Sequence, residues 1–73
     1  MNLSKYIEIN SKMRFGKPVL IGTRIAVSDV LNWLANGMNS KEIISDFPEL
    51  NKEQISACLH YAASRENYLG IAS

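Results

Sequence analysis

Seventy-three residues, 47% of them apolar, with a formal charge of +1, specify one globular domain with a thin core and exclude a disordered chain. A single cysteine, Cys58, excludes an internal disulfide and a cysteine-cluster zinc site. Near-neutrality provides no overall basic field, so affinity for nucleic acid would have to rest on a local patch or a symmetric dimer. Dimerisation would add a second buried surface to so short a chain. No window reaches the roughly 18 apolar residues that span a bilayer, and Met1-Asn2-Leu3-Ser4-Lys5 lacks the apolar core of a secretory signal. Together with a lone thiol in an apolar helix pattern, this predicts a cytoplasmic protein without membrane contact.

Tyr6-Ile7-Glu8-Ile9 alternates in part and predicts a short strand, with Asn10-Ser11-Lys12 as a turn. Val19-Leu20-Ile21, bounded by Pro18 and Gly22, has the composition of a second strand. Gly22 marks a turn or a close backbone approach, and Thr23 to Val27 returns in extended form. The segment from about 6 to 27 therefore reads as a β-hairpin or paired strands. Ser28 is the expected N-cap of a first helix over about 29–36, with Asp29 facing its positive end. Val30, Leu31, Leu34 and Ala35 follow the helical period, and Val27 with Leu31 would form a loose hydrophobic staple. Gly37, after Asn36, suits the left-handed position past the helix end.

Asn39 or Ser40 caps a second, short helix over about 41–47, with Glu42 early and Ile43, Ile44 and Phe47 on its buried side. Pro48 stops it, because the residue before proline avoids helical backbone. Asn51 and Gln54 resemble a capping box opening a third helix over about 52–68, with Gly70 as its natural end. Ile55, Cys58, Leu59 and Ala62, joined by Leu69, make its apolar stripe. The predicted fold is mainly α: N-terminal strands, then a three-helix bundle around Leu31, Leu34, Ile43, Phe47, Ile55 and Leu59, in one domain over 1–73.

A helix, a tight turn and a longer helix outline a helix-turn-helix. Its reading helix would present Lys52 to phosphate and Ser56 and His60 to base edges. Glu53 puts a negative charge at the same end, and a bundle with no DNA role explains the same pattern. Lys12, Arg14, Lys17 and Arg24 form the main basic concentration, whose plain reading is a solvated face around the hairpin. Its spacing is not that of a phosphate-binding P-loop. Arg24 stands apart, because its fork could pair with Asp29 or with a partner's carboxylate.

No acid, base and nucleophile are grouped along the chain, and Cys58 and His60, two apart on a helix, diverge. Cys58 reads as a core residue, and no catalytic residue, metal, cofactor or small-molecule substrate is expected. Trp33 covers the core edge or anchors an interface. Tyr6, Tyr61, Tyr68, Trp33 and Met38 are more aromatic and soft apolar material than so small a monomer needs. Tyr6 to Ile9 also offers a strand edge to a second subunit. The tail Tyr68-Leu69-Gly70-Ile71-Ala72-Ser73 is frayed or binds a partner. Candidate partner contacts are thus Tyr6, Arg24, Trp33, Tyr68 and Leu69.

The run from Gly16 to Val27, followed by Val30-Leu31, Leu34 to Asn39, Glu42-Ile43 and Asp46 to Leu50, resembles the DUF433 family, and Ile55 to Ala63 is similar to its third helix. The matching signature is Gly16, Lys17, Pro18, Gly22, Thr23, Arg24, Ile25 and Val27. The resemblance implies a homeodomain-like, helix-turn-helix type fold. Many such bacterial and archaeal proteins are encoded beside a PIN-like protein and are regarded as antitoxins. It therefore implies a non-enzymatic homodimer that binds a toxin nuclease and represses its own operator. The alternatives are a stand-alone DNA-binding regulator and a dimeric interaction module without DNA. An inhibitor of this kind could set Arg24 or Arg65 against the carboxylates of a metal-dependent nuclease, or cover its cleft with apolar residues. Two positions depart from the pattern: Ile21 stands where the family often has a cation, and Ala26 where it often has proline. The first removes charge from the basic patch, and the second frees a backbone N–H ahead of the helix.

Overall fold

The computed structural model describes the backbone of residues 1–12 and 14–68, and side chains through Arg65. Strand β1 (Ile7–Ile9) pairs antiparallel with β2 (Pro18–Leu20). Three helices follow: α1 (Val27–Ala35), α2 (Ser40–Asp46) and α3 (Lys52–Tyr68). The expected hairpin and three-helix bundle are both present. Ile7 pairs with Leu20, and both are buried, whereas Glu8 between the two isoleucines faces solvent. The Ile21 N–H donates to the Tyr6 carbonyl at 2.9 Å and carries the ladder one step further.

The segment after β2 differs from the expected third extended run. Only one bridge forms there, between Val19 and Ala26. Gly22, at φ 82°, turns the chain, and the Thr23 N–H closes the turn on the Leu20 carbonyl at 3.0 Å. The Thr23 hydroxyl donates to the same carbonyl at 2.9 Å and accepts from the Ile25 N–H at 3.0 Å. One side chain thereby satisfies two backbone groups in a turn too tight for a ladder.

Helix α1 begins at Val27, not after Ser28, and its N-cap is Ala26. An alanine has no side-chain acceptor for the first-turn donors. The helix start is held from the other direction: Asp29, at N3, accepts from the Ala26 N–H at 3.0 Å. That donor exists because position 26 is not proline. The staple is also displaced. With Ala26 as cap, its two positions are Ile25 and Val30, and both lie in the buried cluster.

At the other two helix starts the N3 bond to the cap is joined by its reciprocal. Asn39 and Glu42 exchange backbone-to-side-chain hydrogen bonds of 2.9 Å each, with Met38 and Ile43 at the staple positions. Asn51 and Gln54 do the same at 2.8 and 2.9 Å, with Leu50 and Ile55 at the staple positions. Each staple sends a loop residue toward the core and fixes the direction of the next helix. The end of α1 is equally well defined. Gly37 is left-handed at φ 97°, its N–H reaches the Leu34 carbonyl, and the Met38 N–H reaches the Trp33 carbonyl. These are the two bonds of a Schellman motif.

The core differs from the expected helix-only set. Val19, Leu20, Val30, Ile43 and Cys58 are completely enclosed, so the hairpin supplies two of the five side chains at the centre of the core. Ile43 and Ile55 are buried as expected, Leu31, Leu34 and Phe47 are half-buried, and Leu59 is 50% exposed. The buried face of α3 is turned toward Tyr61, which packs on the core, and Leu59 is carried outward. Trp33 and Phe47 stack at 4.3 Å with ring planes 12° apart, closing α1 against the end of α2.

Candidate functional site

Three surfaces carry the chemistry that the chain presents to solvent. The first is the end of the hairpin. Arg14, Phe15 and Gly16 all have positive φ, at 49°, 58° and 79°. For glycine this is free, whereas for arginine and phenylalanine it is uncommon and strained. Phe15 is fully exposed. Its ring therefore gains nothing from the fold while its backbone is held in a costly conformation.

Arg14 is held in place by tertiary contacts. Its Nη1 donates to Asp29 Oδ2 at 2.8 Å and to the Arg24 carbonyl at 3.0 Å, and its Nη2 donates to Asp29 Oδ1 at 3.4 Å. The fork ties the hairpin loop to the first turn of α1. The guanidinium holds the Asp29 carboxyl below its ordinary pKa, against the opposing effect of partial burial, with help from the Ala26 N–H. Of the two partners the sequence offers Arg24, Asp29 is taken by Arg14. Arg24 contributes its backbone carbonyl and leaves its side chain exposed. The pair eluded sequence reading because it joins positions fifteen apart through a left-handed loop residue.

The second surface lies between the hairpin and α3. An open, mainly apolar groove of about 560 Å³ is lined by Ile9, Pro18, Val27, Leu31, Tyr61 and Arg65, among others. A second depression of about 390 Å³ adjoins it and shares Ile9, Tyr61 and Arg65. Ile9 is 67% exposed. The Arg65 guanidinium lies 5.8 Å from the Tyr61 ring centroid, and its Nη1 donates to the Tyr61 hydroxyl at 3.3 Å. Arg65 is thus parked at the groove by an aromatic side chain. No carboxylate lines either depression among the described residues.

The third surface is the outer face of α3. Lys52 and His60 are exposed and Ser56 is half-buried. Leu59 shares shallow depressions with all three. An exposed leucine thus sits amid the three candidate DNA contacts.

Other expected contacts are dispersed. Tyr6 is half-buried against the core, and Trp33 has one face covered by Phe47. Tyr68 lies within α3, but its side chain and the whole of Leu69 fall outside the described residues. Cys58 is enclosed, as expected for a core thiol, and burial pushes its pKa up to about 11. Among the described residues no three His, Cys, Asp or Glu side chains converge, and no helix is long and apolar enough to cross a membrane.

The family described as "Protein of unknown function (DUF433)" matches residues 7–62. The chain belongs to the DUF433 family. The fold agrees with a solved relative, the crystal structure of a DUF433 member protein from Anabaena variabilis ATCC 29413 at 2.00 Å resolution. The two superpose with a TM-score of 0.81 at 26% identity, over 93% of this chain and 67% of that one. No curated protein matches the sequence. The residues that carried the DUF433 resemblance build one junction of this fold. Gly16 and Gly22 supply left-handed backbone, Pro18 opens β2, Thr23 bonds the turn, Ile25 enters the core ahead of α1 and Val27 enters it at the first position of α1.

Proposed function

We propose that this DUF433 chain is a non-enzymatic, antitoxin-like protein-binding module that holds a PIN-like nuclease inactive. The observation that carries this reading is Phe15, a fully exposed phenylalanine in left-handed backbone at the hairpin end. Aromatic side chains presented this way are typical anchors of protein interfaces. Conformational strain retained without any benefit to the fold is a mark of function. The exposed Ile9 and Ile21 extend apolar surface along the same hairpin. Co-expression with a PIN-like nuclease from the same genome tests the proposal. A stable complex with suppressed RNA cleavage is the expected result, and Phe15→Ala should weaken it. Failure to co-purify, with nuclease activity undiminished, refutes it.

A second role, repression of its own operator by a homodimer, is favoured by the placement of Lys52, Ser56 and His60 along one face of α3. Leu59 within that face and the small net charge weigh against it. Operator binding that weakens in the triple alanine variant and falls steeply with salt would support this role.

A further inference from the structure

We infer that the paired depressions around Ile9, Tyr61 and Arg65 dock an apolar segment of a partner protein that carries a carboxylate. The inference rests on the protein-binding reading above and names the surface and the chemistry of the partner. Three observations support it. The two depressions meet at Ile9, whose side chain is exposed between them, so an occupant that fills both must be extended. A chain segment with apolar side chains on either side of Ile9 has that length, and the open shape suits a segment more than an enclosed small ligand. Among the described residues, Arg65 is the charged residue common to both linings, and it meets the neutral Tyr61 hydroxyl.

The bond to the phenol at 3.3 Å engages one of the guanidinium's five donors. The guanidinium's planar fork is shaped for two parallel bonds to a carboxylate, which are stronger than the bond it makes now. Charge complementarity therefore selects an acidic residue in the occupant.

The test uses the intact chain and a displayed library of random twelve-residue peptides. The expected consensus has Asp or Glu flanked by apolar residues, and a synthetic consensus peptide should bind in titration calorimetry. Arg65→Gln and Ile9→Ser alter exposed side chains, and circular dichroism confirms that both variants are folded. Each should weaken the peptide by about tenfold or more. Replacing the peptide's acid by its amide should cost the wild type as much, and the Arg65→Gln variant almost nothing. A consensus without an acid, or binding indifferent to both variants, overturns the inference. So does a homodimer that Ile9→Ser dissociates, or an oligonucleotide that displaces the peptide. The PIN-like protein separates the two levels of the argument. If wild type and both variants bind it equally, the surface is wrong and the function stands. If wild type fails to bind it while the peptide behaves as expected, the function is wrong and the surface stands.

Discussion

Replacing Phe15 by glycine should stabilise the protein. At φ 58° an L-residue carries a steric cost of about 1–2 kcal/mol that glycine does not. Glycine repays part of this, about 0.5–1 kcal/mol, through the extra freedom of the unfolded chain. The ring is fully exposed, so its removal forfeits no burial. The net expectation is a gain of roughly 0.5–1 kcal/mol. For a domain of this size the urea slope is about 1 kcal/mol/M, so the midpoint should rise by about 0.5–1 M. Phe15→Ala keeps the strain and removes the same ring, and it should stay within about 0.5 kcal/mol of wild type. Urea melts followed by circular dichroism compare the three proteins. A Phe15→Ala variant destabilised by several times that margin would show that the ring is buried. A Phe15→Gly variant no more stable than Phe15→Ala would show that the backbone is unstrained. Either result removes the argument that strain is retained here for binding. If strain is retained for binding, the stabilised variant should be the poorer partner for a PIN-like nuclease.

The remaining predictions concern the scaffold. Asp29→Asn removes the ion pair with Arg14 and should flatten the acid limb of stability. The folded pKa of Asp29 is lowered, so the pair contributes fully above the unfolded value of about 3.9 and is lost as pH falls through the folded value. Both partners are open to solvent, so the effect should be modest and should shrink with salt. Gly37→Ala should cost about 1 kcal/mol from backbone alone, since a Cβ there meets no atom within 4 Å and φ is 97°. Ile43→Ala should cost about 2–5 kcal/mol, whereas Leu59→Ser should lie within about 1 kcal/mol of wild type, as thermal melts would show. Cys58 should resist a thiol reagent at pH 8 until the protein unfolds, because burial both blocks access and raises its pKa to about 11.

Local chemistry was legible wherever the deciding atoms lie within a few residues of one another. The Asn51–Gln54 capping box, the left-handed Gly37, the stop at Pro48 and the turn at Gly22 all follow from side-chain reach and φ preference. The resemblance of Gly16 to Val27 to DUF433 belongs to the same level, because those residues build one continuous junction.

What the chain alone determined, then, is its order of elements and its family: a hairpin, a short capped helix pair and a longer helix. Tertiary structure decided which side of each element faces in. The rotation of α3 brought Tyr61 against the core and put Leu59 outside, a choice that helical periodicity leaves open when apolar residues occupy adjoining positions. It decided that Arg14, and not Arg24, takes Asp29, because the left-handed loop swings one arginine across α1 and turns the other to solvent. That ion pair and the Asp29 bond to the Ala26 N–H hold a helix start whose N-cap is Ala26 in place of the expected Ser28. It also assembled the groove at Ile9, Tyr61 and Arg65 from residues more than fifty positions apart, whose meeting no local rule describes.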